Sequence, residues 1–331
     1  MAVLILEFLG SAAVIVVAGT FLTRYADAIG ERTGMGRTVA GLVLLATATS
    51  LPELSVDCNL ARLGNADLAM GDLLGSSLLN LFILAVLDLL HRGKTRMLSR
   101  TAAAHALSAT MSVAVTAVCL IFLLTPFTGT FLGLGPGPVV LTFVYLLGLR
   151  LVYFDQQTAA AEAEHHAPLG TPHPLPPLGR SVGGYLACTV AILIVAPYLA
   201  HAAEGLAEAT GLGGTFVGTT LVAFCTSLPE LVTTTAALRA GAFDLAVGNI
   251  FGSNTFNMVI LLPVDAFFDG SLLAAASQTH AVTAACTILV TSTVVLGLLY
   301  RPEKRYWFVE PDAALVIFLV LMSMGLVYYM R

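Results

Sequence analysis

Ten stretches of this 331-residue chain are apolar and long enough to cross a bilayer, and together they account for most of it: 3–22, 38–61, 68–90, 102–124, 139–154, 182–200, 215–238, 245–267, 274–298 and 313–329. About 20 apolar residues span the hydrocarbon core as a helix, and a spanning backbone must satisfy its own hydrogen bonds. An all-α membrane protein of ten transmembrane helices is therefore expected, with the lipid bilayer as its evident partner. Only 11% of the residues are charged, against about 25% in soluble domains. No Lys or Arg precedes Arg24, so the first stretch reads as a retained helix and not as a cleaved signal. Cys58, Cys119, Cys188, Cys225 and Cys286 fall in or at the ends of spans without CxxC spacing, which predicts buried structural thiols. A net charge of -5 without a basic aromatic module argues against a nucleic-acid partner, and no obligatory protein partner is evident.

Orientation follows the positive charges. Arg24, Arg32 and Arg37, then Arg92, Lys94, Arg96 and Arg100, then Arg150 and Arg180, then Arg239, then Arg301, Lys304 and Arg305 follow spans one, three, five, seven and nine. Only Arg62 and Arg331 fall on the other side. The expected topology has both termini outside, in a plasma (inner) membrane.

The chain also repeats itself. Residues 46–84 align with 223–261 at a constant offset of 177 with 18 identities in 39 positions and no gap. The first copy enters from the inside and the second from the outside, so two inverted five-helix halves are expected, a plan whose sites lie near the midplane in broken helices. The boundaries are a first half at 1–155 with its repeat at 36–90, an inside linker at 156–180, and a second half at 181–331 with its repeat at 213–267.

Each copy carries TSLPEL, at 49–54 and 226–231. Pro52 and Pro229 lack an amide hydrogen and disfavour helical geometry in the residue before them, so spans two and seven should break there and release carbonyls. Thr49, Ser50, Thr226 and Ser227 add hydroxyls at that level, and Glu53 and Glu230 add charge. Each carboxylate costs roughly 2.5–3.5 kcal/mol at a bilayer centre, which predicts a polar cavity and a cation. The following helices carry GDLLGSSLLN (71–80) and GNIFGSNTFN (248–257), whose small residues permit close packing. In them Ser76 and Asn80, and Ser253 and Asn257, lie one turn apart on one face. The set is all oxygen, suited to a hard cation such as Ca²⁺ and not to Zn²⁺ or Cu ions.

At ATATSLPEL, AFCTSLPEL and GNIFGSNTFN the chain resembles the sodium/calcium exchanger family of the calcium/cation antiporter superfamily. The resemblance implies a ten-span antiporter that moves Ca²⁺ against Na⁺ by alternating access, with spans one and six sliding against a core of spans two, three, seven and eight. It implies a central site of Glu53, Asn80, Glu230 and Asn257. Thr49, Ser50, Ser76, Thr226, Ser227, Ser253 and the carbonyls of Ala46 and Ala223 would complete neighbouring Na⁺ and Ca²⁺ positions. Potassium-dependent members tend to carry Asp at a place like Asn80 or Asn257, so Asn at both is unlike potassium dependence. Asp72 and Ser77 depart from the Asn usual in the family.

Two carboxylates are balanced by one Ca²⁺ or by two or more Na⁺, so each ion excludes the other and an uncompensated site resists the conformational switch. A channel would want a continuous pore ringed by several subunits, and no HExxH, GxSxG or Ser-His arrangement points to an enzyme. No cofactor is implied beyond the transported ions Ca²⁺ and Na⁺, with H⁺ as the alternative. Asp72, with Asp57 and Asp67, is expected to border the outer access path, as a proton-exchanging group or as aspartates in contact with water or paired with Arg62. The linker histidines His165, His166 and His173 read as part of a flexible segment. His105 and His280, without partners in the motifs, read as packed or interfacial.

Overall fold

The computed structural model describes residues 1–90, 102–164, 176–210, 224–300 and 311–329. The linker histidines His165, His166 and His173 and the proposed ligand Ala223 lie outside them. The described residues are helical, with a single isolated β-bridge between Phe131 and Leu134. In chain order the helices are α1 (Ala2–Thr33), α2 (Gly36–Val39), a wider π turn (Ala40–Leu45), α3 (Ala46–Thr49), α4 (Leu51–Arg62), α5 (Ala66–Leu90), α6 (Ala102–Leu124) and α7 (Pro136–Glu164). They continue with α8 (Leu178–Ala209), α9 (Leu228–Arg239), α10 (Phe243–Ala266), α11 (Leu272–Ala275), α12 (Thr279–Tyr300) and α13 (Pro311–Tyr329). Among the described residues, seven helices are long and apolar enough to cross a membrane; the bent pair Gly36–Thr49 plus Leu51–Arg62 makes an eighth span, and Ala313–Tyr329 is a shorter apolar helix. The protein is a multi-pass integral membrane protein.

α1 runs well past the end of its apolar stretch at residue 22. At 1.5 Å per residue its 32 residues reach about 48 Å, more than the hydrocarbon core. The excess is held by charge: the Arg37 guanidinium pairs with Asp27 and with Glu31, each at 2.7 Å, which pins the last turns of α1 to the start of α2. Gly34 then ends the helix in the left-handed conformation with φ 73°, a geometry open to glycine at little cost. α1 packs antiparallel to α8, with Leu4 against Gly205 and Tyr25 against Gly184.

The helix order from outside to inside follows from how much of each helix its neighbours bury. α10 has 83% of its spanning window buried against 22% for α1, so α10 is the central post and α1 faces lipid. What allows the segment 36–49 to reach α10 is glycine. A Cβ on Gly248 would lie 2.6 Å from the Thr38 carbonyl, one on Gly252 2.5 Å from the Leu42 carbonyl, and one on Gly41 would strike the Leu245 carbonyl. The two backbones touch directly, as small-residue helix contacts in membranes do. The cysteines are all free, with Cys119, Cys225 and Cys286 buried. A buried carboxylate, Asp265 at the end of α10, accepts from the amides of Gly135 (2.6 Å) and Leu272 (2.7 Å) and so fixes the approaches to α7 and α11.

Because the clash at Gly248 is with backbone and not with a flexible side chain, Gly248→Ala should destabilise the protein by about 1–3 kcal/mol, the usual cost of overpacking. Gly10→Ala, where nothing lies within 4 Å, should leave the thermal midpoint in detergent unchanged or slightly raised.

Candidate functional site

Two broken helices face each other across α10 and α5. Pro52 and Pro229 stand in the first turns of α4 and α9, where a missing amide costs nothing. The break falls at Ser50 (φ −94°, ψ 6°) and at Ser227 (φ −84°, ψ 10°). The first bends the chain by 47°. Glu53 and Glu230 follow in the same first turns, where the positive end of the helix dipole favours an anion. They are 2% and 1% exposed and within electrostatic reach of one another.

Side chains of one half meet those of the other. The Ser50 hydroxyl donates to Glu230 Oε1 at 3.3 Å, and Thr49 Oγ1 lies 3.5 Å from Ser253 Oγ. Asn80 Nδ2 donates to Asn254 Oδ1 at 3.0 Å, and Asn257 Nδ2 donates to Ser77 Oγ and to the Leu73 carbonyl, each at 3.4 Å. Positions 80 and 77 are matched to 257 and 254 by the offset of 177, so these two contacts are one contact made twice. In each, the amide nitrogen is engaged and the amide oxygen is left over. Asn80 Oδ1, Asn257 Oδ1, Glu53 Oε2, Glu230 Oε2, Ser76 Oγ and Ser227 Oγ are all buried without a hydrogen-bond partner. A buried acceptor without a donor is costly. These six, three from each half, fall within the repeated segments.

Of the residues expected at the site, Thr49, Ser50, Glu53, Ser76, Asn80, Ser227, Glu230, Ser253 and Asn257 are buried, and Thr226 is half-buried. The Ala46 carbonyl is also buried, but it already accepts from the Ser50 amide (3.0 Å) and the Thr49 hydroxyl (3.3 Å). The carbonyl that Pro52 deprives of its helical partner is that of Ala48, four residues earlier. Asp57 is 0% exposed, whereas Asp72 is partly exposed. Asp67 leaves the site altogether: it accepts from the Ser277 amide (2.6 Å) and lies 3.2 Å from His280 Nε2.

The sequence matches the sodium/calcium exchanger protein family over residues 3–154 and 180–327. The chain belongs to the sodium/calcium exchanger family. Relatives include CaxA of Alkalimonas amylolytica, 28% identical over 84% of this chain and 86% of that protein. The inner membrane protein YrbG of Escherichia coli strain K12 is 30% identical over 70% of each chain. The similarity to the sodium/calcium exchanger MaX1 of Methanosarcina acetivorans is more local, 45% identical over 83 residues that cover 25% of this chain and 23% of that one. The fold is that of the sodium-calcium exchanger NCX_Mj, with a TM-score of 0.70 at 19% identity over 98% of this chain and 99% of that chain. The family is one of membrane antiporters, not of enzymes.

Some polar contacts of this exchanger family member are not legible from the motifs taken singly. Asn254 both accepts from Asn80 and donates to the Ser77 carbonyl at 3.1 Å, so it orients the Asn80 oxygen. His105 lies 2.8 Å from Asp244 as His280 lies beside Asp67. Asp67 and Asp244 stand 177 residues apart in the repeat alignment, and the two histidines almost as far; that shared spacing was the available signal. Asn254→Ala removes one acceptor and one donor from this buried set. It should cost about 1–3 kcal/mol in thermal unfolding.

Proposed function

We propose that this chain is a secondary antiporter that exchanges Ca²⁺ for Na⁺ across the membrane by alternating access. The observation that carries the reading is the set of buried oxygens without donors on Glu53, Glu230, Asn80, Asn257, Ser76 and Ser227. A hard cation that takes six to eight oxygens satisfies them all at once. In this reading Glu53, Asn80, Glu230 and Asn257 surround the ion, and Thr49, Ser50, Ser76, Thr226, Ser227, Ser253 and the carbonyls of Ala46 and Ala223 complete adjoining positions. Two carboxylates hold one Ca²⁺ or two or more Na⁺ at electrical balance, so occupancy by one ion expels the other. The empty site leaves both charges buried and blocks the return, which makes the transport an exchange. The ten-span inverted plan, with halves at 1–155 and 181–331 joined by an inside linker at 156–180, and both termini outside a plasma (inner) membrane, belongs to the same proposal. So does the sliding of α1 and α8 against the core.

A second reading, exchange of Ca²⁺ against H⁺, is favoured by one observation: a carboxylate at Asp72 where the matched position of the other half is Asn249. Reconstituted vesicles separate the two. Radiolabelled Ca²⁺ should accumulate in Na⁺-loaded vesicles diluted into Na⁺-free medium and should not do so when only the interior is acidic. Uptake driven by acid alone, retaining its pH profile in Asp72→Asn, would give the counter-ion role to H⁺ through another group.

Glu53→Gln and Glu230→Gln should each abolish Na⁺-driven Ca²⁺ uptake with the fold retained, since each removes one of the two charges that balance the ion. Uptake at the normal rate in either variant would remove that residue from the site. Asn80→Asp and Asn257→Asp add a third charge and should weaken Ca²⁺/Na⁺ exchange or admit K⁺ as a coupling ion; an unchanged ion preference in both would place those amides outside the coordination shell.

A further inference from the structure

One turn beyond Glu53, the two halves of the molecule differ where everything around them is matched. In the second half, Asn249 Nδ2 on α10 donates to Thr234 Oγ1 on α9 at 3.0 Å, and to Thr233 Oγ1 at 3.0 Å. That neutral contact closes the space between the two helices. The offset of 177 matches Thr234 to Asp57 and Asn249 to Asp72. The same two places between α4 and α5 thus hold a pair of carboxylates, which have no proton donor to offer each other. Asp57 is 0% exposed, and both its carboxyl oxygens are buried without a hydrogen-bond partner. Asp72, within electrostatic reach of Asp57 and of Glu53, is partly exposed. Arg62, the nearest cation along the chain, has its guanidinium over the ring of Phe267 at 4.2 Å from the centroid.

A fully buried carboxylate without a donor is stabilised either by taking up a proton or by a positive charge beside it. The geometry points to a second cation subsite, formed by Asp57 and Asp72, that takes a hard divalent ion such as Ca²⁺ on the side of the membrane where α4 turns into α5. It rests on the reading that this chain carries Ca²⁺. Two carboxylates match one divalent ion in charge, and waters would complete its shell. Four residues at 1.5 Å each place Asp57 about 6 Å along α4 from Glu53, so an ion held there is one step from the central cage. The second half, with threonine and asparagine hydrogen-bonded at the matched places, has no such subsite. The molecule therefore gathers Ca²⁺ on one face only.

The test is equilibrium binding of radiolabelled Ca²⁺ to the purified full-length protein, in four forms: wild type, Asp57→Thr/Asp72→Asn, Glu53→Gln/Glu230→Gln, and all four changes together. The first double substitution installs the residues that the second half already pairs; Asp57→Asn/Asp72→Asn, of nearly the same shape as wild type, serves if it fails to fold by thermal melting. The subsite predicts that Asp57→Thr/Asp72→Asn binds one fewer Ca²⁺ per chain than wild type. It also predicts that Glu53→Gln/Glu230→Gln keeps one Ca²⁺, lost when all four are changed. In oriented vesicles, the apparent Ca²⁺ affinity of Asp57→Thr/Asp72→Asn should fall about tenfold, or about 1.4 kcal/mol, from the face of the α4–α5 turn and stay unchanged from the other. An unaltered Ca²⁺ count in Asp57→Thr/Asp72→Asn, with exchange intact, overturns the subsite and leaves the exchanger reading standing. A wild-type protein that binds no Ca²⁺ overturns both.

Discussion

The structure turns on the cost of holding Glu53 and Glu230 out of water in the middle of a membrane protein. Among the described contacts, the hydroxyl of Ser50 reaches Glu230 from the opposite half. The rest of the central architecture lowers that cost without cancelling it. The proline-broken helices put each carboxylate in a first turn, where backbone amides point toward it. The side-chain nitrogens of Asn80 and Asn257 are committed to Asn254, Leu73 and Ser77, which leaves their oxygens without a donor. A site built to be satisfied by protein would do the reverse. In the proposed reading the remaining deficit is electrical, and a bound cation would offset it.

Such a cage is useful only if its walls hold still relative to one another, and here glycine does the work that side chains do elsewhere. At Gly41, Gly248 and Gly252 the segment 36–49 lies backbone to backbone on α10, with no rotatable group between them to yield. The π turn at Ala40–Leu45 falls in this contact and shifts the register of the helix just before Thr49 and Ser50. The broken helix is thus anchored on one side of its break and free to bend at the other. α1, largely lipid-facing, meets this core through Gly19 beside Val232, Gly30 beside Ala40, the Arg37 ion pairs to Asp27 and Glu31, and the hydrogen bond from Thr23 to the Thr233 carbonyl, 3.2 Å.

Much of this was legible because the repeat doubles every signal. A single Pro-Glu in an apolar run reads as a kink; the same pair 177 residues later, with the same hydroxyls before it and the same asparagine closing the next helix, reads as a site. The breaks at Ser50 and Ser227 fall where the prolines required. What stayed hidden needed the third dimension or ran against local pattern. Apolarity ends at residue 22, yet α1 continues to Thr33 because Arg37 pairs with Asp27 and Glu31, a contact made after the chain turns back. The π turn has no sequence mark of its own. Asp67 lay near the acidic positions in sequence but is drawn off by Ser277 and His280, more than 200 residues away.

Internal repetition also makes the departures from it informative. Where the halves agree, contacts come in pairs, as with Asn80 on Asn254 and Asn257 on Ser77, or His105 on Asp244 and His280 on Asp67. Two conformations that exchange the roles of such equal halves would differ little in energy, a condition for a carrier that must visit both. A carrier with perfectly equal halves would have no preferred face. Pairs that differ, aspartates at 57 and 72 against Thr234 and Asn249, tilt the balance, because a cation near the α4–α5 turn stabilises one arrangement and finds no counterpart in the other. A ligand shifts such an equilibrium only by its difference in affinity for the two states. A few substitutions at matched positions are therefore enough to make the two faces of duplicated parts unequal in cation affinity, while the ion gradients set the direction of net exchange.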